Sequence, residues 1–273
     1  MRPQWSRLIV ALVALTVVSG STARAQAVGA PDAAAPAQPY EPPPITDEDR
    51  KAAFPDVGGH AAHDEALHAL VWFDRLEWQS AAGANGVKWD NQTWVGRDRD
   101  RLWLRSEGRT ADGAFEEADA HALYGRMVAR WWDVVGGIRQ DVRPGAGRTW
   151  AALGVQGLAP YWFEVEATAY VGEGWRTAVR LDVDYELRLT QRLILQPRLE
   201  LNAYGKTDPE RGLGAGVSSA EPGFRLRYEI RRELAPYLGV AWERKFGSTA
   251  DFAEAAGEEA SGVRVVTGLR WWF

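Results

Sequence analysis

Three histidines lie close together in one polar stretch of the chain. His60, His63 and His68 are accompanied there by Asp64 and Glu65. His60 and His63 would share one face if this stretch became helical, because they are three residues apart. Imidazole nitrogen and carboxylate oxygen together suit a divalent transition-metal ion. The stretch therefore predicts a metal site at His60, His63, His68 and Asp64. The alternative is a solvated polar junction whose histidines bind no ligand.

The remaining histidine, His121, lies in a segment with a different pattern. In an extended strand it would share one face with Glu117 and Asp119. That group could bind a metal or transfer a proton. Alternatively, His121 could simply be a polar residue inside the barrel that is satisfied by neighbouring charges. Ser106 lies on the preceding predicted strand, but the chain has no Gly-x-Ser-x-Gly motif. We therefore predict that the protein is not an enzyme.

The first residues have the three-part layout of a secretory signal peptide. Arg2 and Arg7 precede an apolar run over 8–18, and small residues then lead to Ala23-Arg24-Ala25. The run is much shorter than the roughly 20 residues that a membrane-spanning helix needs. We predict a signal peptide at 1–25, and hence export.

Residues 26–68 are rich in alanine and proline and include three consecutive prolines at 42–44. This composition has too little apolar surface to offset the entropy of ordering. We predict that this segment is flexible, disordered and periplasmic.

Composition narrows the class of protein further. The chain has no cysteine, so disulfides and thiol chemistry are excluded. Its net charge of −5 becomes −8 once the three arginines of the signal peptide are removed, which argues against nucleic acid as a partner. Fourteen tryptophans in a chain without an apolar stretch long enough for a transmembrane helix indicate the aromatic girdles of a membrane β-barrel.

From residue 69 onward the pattern alternates with period two. Val179, Leu181 and Val183 alternate with Arg180 and Asp182, so one strand face is apolar and the other charged. We predict an all-β fold over 69–273, an antiparallel transmembrane barrel of the bacterial outer membrane with about twelve strands, short periplasmic turns and longer outer loops. The predicted strands are 69–79, 87–96, 100–108, 115–125, 131–142, 149–158, 161–171, 176–187, 192–204, 217–230, 236–246 and 262–273.

Charged residues of both signs occupy the predicted inner face. They either interlock and plug the barrel or line a narrow cation path, and the mixed signs favour the plug. The set comprises Arg180, Arg198, Arg225, Arg227, Arg264, Glu164, Glu166, Asp182, Asp184, Glu186, Glu200 and Glu229.

Two positions bear on the strand assignment. Pro197 removes a hydrogen bond from a strand with neighbours on both sides, so we expect a bulge there. Phe273 ends the last strand on its outer face, and a terminal aromatic is typical of outer-membrane barrels. Closure of the sheet requires this strand to pair with the first one.

Several strings stand out along this pattern. They are LEW at 76–78, RLWL at 101–104, TWAALGVQGLAPYWF at 149–163, TQRLILQPRLEL at 190–201, DPERG at 208–212, LRYEIRRE at 226–233 and WERKF at 242–246. Together they resemble the copper resistance protein B family of outer-membrane proteins, and the resemblance covers about 69–273.

The resemblance implies a role in copper resistance and homeostasis, as an outer-membrane protein that binds or handles periplasmic copper ions. It also implies outer-membrane lipid and a periplasmic copper-handling protein as partners. Family members commonly carry a Met- and His-rich extension before the barrel, whereas this chain has only Met1 and Met127. With nitrogen and oxygen ligands, Cu(II) would be preferred over Cu(I). The alternative is a structural or small-solute barrel without specific metal binding.

Overall fold

The computed structural model describes residues 43–53, 66–81, 84–143 and 145–273. The chain divides into two units, Met1–Gly59 and His60–Phe273. The predicted signal peptide lies outside the described residues. Among the described residues, no helix is long and apolar enough to cross a membrane.

The described part of the first unit contains the short helix α1, Asp47–Ala53, which the sequence did not predict. Its start is capped by a reciprocal pair of hydrogen bonds. The Thr46 amide donates to Asp49 Oδ2 at 2.9 Å, and the Asp49 amide donates to Thr46 Oγ1 at 3.1 Å. The Thr46 hydroxyl also donates to Asp49 Oδ2 at 2.6 Å, and this bond, together with that from the Thr46 amide, lowers the pKa of the Asp49 carboxyl.

The second unit is a closed antiparallel barrel. Two of its strands, β8 and β9, pair one after the other with β10 and so fill one position, and β13 pairs with β1 to close the sheet. The barrel therefore has the twelve positions that the alternation predicts. The strands are β1 (His68–Ala81), β2 (Ala84–Gly96), β3 (Asp100–Ala111), β4 (Ala114–Ala129), β5 (Trp132–Arg143), β6 (Arg148–Ala159), β7 (Phe163–Gly172), β8 (Arg176–Asp184), β9 (Leu187–Arg188), β10 (Leu193–Tyr204), β11 (Gly216–Tyr228), β12 (Leu234–Lys245) and β13 (Ser261–Trp272).

The interruption between β8 and β9 lies opposite Pro197. The pairs Arg198–Asp184 and Leu195–Leu187 have the same register, so the expected bulge at Pro197 is wrong. Tyr185 N–H still donates to Pro197 O at 3.1 Å. Only the return bond is missing, because proline has no N–H to donate.

Phe273 closes the barrel as predicted. Its amide donates to Val71 O at 3.0 Å, and Val71 N–H donates to Phe273 O at 2.9 Å. Its side chain is exposed, as are those of Val263, Val265 and Trp271 on the same face of β13.

Apolar side chains cover the outside of the barrel and charged ones fill the inside. Leu104 and Ile138 are 49% and 54% exposed, whereas Glu77 is 0% and Arg225 4% exposed. An apolar exterior on a closed sheet with no free edge meets the requirements of a hydrocarbon environment. Exposed aromatic side chains are grouped towards the two ends, as membrane–water interfaces favour. At the end where β1 begins and β13 ends they include Tyr124, Trp131, Tyr161, Trp162, Tyr228 and Trp271, and at the other end Trp78, Phe115, Trp175 and Trp242.

We call the end where β1 begins and β13 ends the terminal end, and the opposite end the loop end. The loop end carries the two long connections, 205–215 and 246–260, and the second contains helix α2, Gly247–Ala255. Thr249 holds this helix to the barrel, because its Oγ1 lies 2.9 Å from Ser218 Oγ and accepts from Gly214 N–H at 2.8 Å. The other loop-end connections are short, so the predicted difference in loop length rests on these two connections.

Ion pairs between strands that are not neighbours cross the lumen. Arg198 on β10 donates to Asp74 on β1 at 2.6 Å, and Lys88 on β2 donates to Glu200 on β10 at 3.2 Å. Buried charges persist only when they are paired in this way. The inner position predicted for the charged set is confirmed, and its members interlock across the barrel.

A candidate metal site in the lumen

The hairpin of β3 and β4 sets the geometry of the site. Its two-residue turn is Asp112-Gly113, with φ of 48° and 82°, the left-handed conformation that such turns require. The turn pairs Ala111 with Ala114, but further along Arg109 pairs with Glu117, which leaves Glu116 as an extra residue. This bulge shifts the register by one, and Glu107 therefore lies directly opposite Asp119.

Glu107, Asp119 and His121 form a compact group inside the barrel. One ligand atom from each residue lies within 4.8 Å of those of the other two. His121 is 4% exposed, and its Nε2 is 3.0 Å from Asp119 Oδ1. Neither ring nitrogen has a hydrogen-bond partner of acceptable geometry among the described residues. A buried imidazole without partners is costly, which makes this group the candidate site.

Two arginines neutralise the carboxylates of this group. Arg180 Nη1 donates to Glu107 Oε2 at 2.6 Å, and Arg139 Nη2 lies 3.0 Å from Asp119 Oδ2. Tyr170 packs edge-on to the His121 ring with centroids 5.9 Å apart, and it also lies under the Arg139 guanidinium. A cation that bound here would have to compete with both arginines for the carboxylates.

A cavity of about 1030 Å³ leads from the loop end towards this group. Its lining includes Asp119, Arg139 and Arg180 from the site and Phe252 and Ala253 from α2. Asp119 and the two arginines can therefore be approached from the loop end past walls of mixed charge, whereas Glu107 and His121 do not line the cavity.

The predicted histidine cluster is only partly visible. His60, His63 and Asp64 lie outside the described residues. His68, assigned by the sequence to the flexible segment, is the first residue of β1 and is exposed, and its backbone pairs with Gly96. The structure therefore does not test that cluster.

The inner position of His121 agrees with the sequence analysis, but its acidic partners differ in part. Asp119 belongs to the group, whereas the Glu117 side chain is 53% exposed and lies 3.7 Å from Arg109. Glu107 was missed because it belongs to another strand. The Asp112-Gly113 turn signals the hairpin in the sequence, but the bulge that aligns Glu107 with Asp119 has no comparable signal.

Ser106 and His121 cannot act together. His121 pairs with Arg105, whose side chain is buried in the lumen, and Ser106 is the next residue on the strand and points to the other face. There Ser106 accepts a hydrogen bond from Trp89 Nε1 at 3.2 Å.

The fold and the site together define a class of protein: an outer-membrane-type antiparallel barrel with one imidazole and two carboxylates grouped in its lumen. The model of the family "Copper resistance protein B precursor" matches residues 67–273. The chain belongs to this copper resistance protein B family.

Two relatives and one solved structure place the chain more closely. It is 51% identical over 231 residues to Copper resistance protein B of Escherichia coli, covering 85% of this chain and 78% of that protein. It is 52% identical over 240 residues to the Copper resistance protein B homolog of Pseudomonas syringae pv. tomato, covering 88% and 82%. The NanC porin structure aligns with a TM-score of 0.50 at 12% identity, covering 76% of this chain and 99% of that one, which shows likeness of fold.

Proposed function

We propose that this barrel acts in copper resistance by binding Cu(II) inside its lumen at Glu107, Asp119 and His121. The observation that carries the proposal is the buried imidazole of His121 beside two carboxylates: its Nδ1 has no partner among the described residues, and its Nε2 lies 3.0 Å from Asp119 Oδ1 without hydrogen-bond geometry. Membership of the copper resistance protein B family supports copper as the ion. In this role copper is the cargo of the barrel.

The chemistry of the ligands favours the divalent ion. One imidazole nitrogen and two carboxylate oxygens are borderline and hard ligands, which suit Cu(II), whereas Cu(I) prefers thiolate and thioether sulfur. The chain has no cysteine, and only Met1 and Met127 could offer thioether sulfur. The proposed function therefore concerns Cu(II).

The same proposal includes orientation. We infer that the terminal end faces the periplasm and that the segment before β1 lies there. Short turns at the terminal end and the two long connections at the loop end support this orientation, because outer-membrane barrels have short periplasmic turns. A periplasmic copper-handling protein would then meet the segment that carries His60, His63 and Asp64.

Cu(II) binding to the purified barrel tests the proposal. We expect His121→Ala to weaken Cu(II) binding by at least about tenfold, since one of three ligands is lost, roughly 1.4 kcal/mol or more. Isothermal titration and the nitrogen hyperfine splitting in the Cu(II) electron paramagnetic resonance spectrum would measure this. The control is the triple variant His60→Ala, His63→Ala, His68→Ala, which keeps the lumenal site.

Equal affinity in wild type and His121→Ala would contradict the lumenal site. If the triple variant alone lost binding, the ion would belong to the histidines before the barrel instead. If no variant altered binding, the alternative of a structural or small-solute barrel would stand. The pairing of Glu107 and Asp119 with arginines is the observation that favours this alternative.

A further inference from the structure

Unpaired arginines surround the terminal end of the barrel. Turns of this end carry exposed arginines that form no ion pair within the ranges that the structure describes, although Arg126 beside them lies 4.0 Å from Asp100. Exposed carboxylates in the same turns are Asp98 and Glu233. The unpaired arginines are Arg97, Arg99, Arg130, Arg188, Arg192, Arg231 and Arg232, and we call them the basic rim.

The basic rim contrasts with the loop end. Exposed carboxylates without an ion pair among the described residues are found there at Glu173, Glu210, Asp251 and Glu254. The surface charge of the barrel is therefore separated along its axis, positive at the terminal end and negative at the loop end. The loop end also has three exposed cations without an ion pair among the described residues, Arg143, Lys206 and Arg244, but exposed carboxylates outnumber them there.

One member of the basic rim, Arg130, lies at the depth of the aromatic girdle. The Arg130 guanidinium is 6.0 Å from the ring centroid of Trp131, and Trp131 packs edge-on against Trp162 with centroids 6.2 Å apart. Tryptophan rings collect at the level of lipid headgroups, so the Arg130 guanidinium is at that level too.

Four of the arginines belong to two neighbouring turns. Arg188 and Arg192 flank one turn and Arg231 and Arg232 lie in the next, and the turns are joined by Glu229 N–H, which donates to Arg192 O at 2.8 Å. Guanidinium groups bind phosphate through paired N–H donors. Several guanidinium groups near one phosphate bind it more tightly than a single exposed ion pair does.

We propose that the basic rim binds the phosphate headgroups of anionic phospholipids in the membrane leaflet at the terminal end. Binding through Arg188, Arg192, Arg231 and Arg232 would fix the depth of the barrel in the membrane and its tilt. This proposal is independent of copper binding, because it uses none of the residues of the lumenal site.

Native mass spectrometry of the detergent-solubilised protein tests the proposal with dioleoyl phosphatidylglycerol and dioleoyl phosphatidylcholine as probes. We expect tighter binding of phosphatidylglycerol, and at least about a tenfold loss in the variant Arg188→Gln, Arg192→Gln, Arg231→Gln, Arg232→Gln, given roughly fivefold per arginine at an anionic surface. The four Arg→Lys substitutions keep the charge and should retain most of the binding.

A matched pair separates the basic rim from net charge. Arg231→Gln with Arg232→Gln should weaken phosphatidylglycerol binding, whereas Arg143→Gln with Lys206→Gln, an equal loss of charge at the loop end, should not. Equal binding of the two lipids, or an unaffected fourfold variant, would overturn the proposal. So would displacement of lipid by millimolar inorganic phosphate, or a preference for poly-glutamate, which would indicate a free anion or an acidic protein.

Discussion

At the scale of single residues, the lumenal site is a competition between cations. Glu107 and Asp119 each hold an arginine at hydrogen-bond distance, at 2.6 Å and 3.0 Å. These pairs satisfy buried carboxylates that would otherwise be costly. Arg180 also lies 3.8 Å from Glu200, and a guanidinium displaced from Glu107 by a metal has this second carboxylate within reach.

Replacement of Arg180 tests this competition. We expect Arg180→Gln to increase Cu(II) affinity about tenfold, because the carboxylate of Glu107 no longer has to exchange an ion pair worth roughly 1–3 kcal/mol. Competitive titration against a chromogenic chelator would measure it. The control is Arg176→Gln on the same strand, whose partner is Asp208 at 3.1 Å. Unchanged or weaker binding in Arg180→Gln would refute the competition.

At the scale of strands and turns, glycines allow aromatic rings to lie flat inside the barrel wall. Gly268 on β13 lies opposite Tyr237 on β12, and a Cβ added there would be 2.6 Å from the Tyr237 hydroxyl and 2.8 Å from Glu77 Cβ. Tyr237 donates to Glu77 at 3.1 Å, and Arg225 donates to both oxygens of the same carboxylate. These contacts connect β1, β11 and β12 across β13, where the barrel closes.

Adding one methyl group at Gly268 should therefore loosen the closure. We expect Gly268→Ala to lower the free energy of unfolding by about 1–3 kcal/mol, the usual effect of overpacking. Urea unfolding of the barrel refolded in detergent or lipid vesicles would measure it. Gly262→Ala on the same strand is the matched control, because its added Cβ would meet only Glu259 Oε2 at 3.6 Å. Equal stability of the two variants would show that the Tyr237 contacts do not matter.

The alternation of side chains was enough to predict the strands. Because each strand faces lipid on one side and a charged lumen on the other, apolar and charged residues alternate with period two in the sequence. The inner face of His121 and the outer face of Phe273 follow from the same rule. Other features depend on contacts between distant strands. Glu107 meets Asp119 only because a bulge offsets the hairpin, and Pro197 keeps its register because the neighbouring strand is paired on both sides of it. Neither outcome is encoded in a local pattern.

At the scale of the whole molecule, the lumen is obstructed near its middle. Glu200 accepts from Lys88 at 3.2 Å and lies 3.5 Å from Arg75, while Arg105 on β3 reaches Glu166 on β7 at 2.7 Å. These contacts join opposite walls of the barrel, and the cavity of about 1030 Å³ lies on the loop-end side of them. The interior therefore resembles a plugged barrel more than a wide channel.

Conductance across planar bilayers should reflect this obstruction. We expect conductance near zero for the wild type. Glu200→Ala should give measurable openings, because the three cations around Glu200 then repel one another at short range. Glu254→Ala on the exposed face of α2 is the control and should behave as the wild type. A large, stable conductance in the wild type would show that the ion pairs across the lumen do not close the barrel in the membrane.

The extra residue Glu116 in the β3–β4 hairpin shows how a one-residue insertion in the gene could change which side chains face the lumen. Side chains of a strand alternate strictly between the lumen and the lipid, so there are only two arrangements, which we call phases. One extra unpaired residue exchanges the side chains that face the lumen with those that face the lipid. In the present phase Asp119 and His121 face the lumen, whereas in the other phase Ala118, Ala120 and Ala122 would replace them there. The insertion of a single codon between Glu117 and Asp119 would therefore turn the histidine towards lipid. The gene could lose or regain its candidate ligand without changing any existing amino acid.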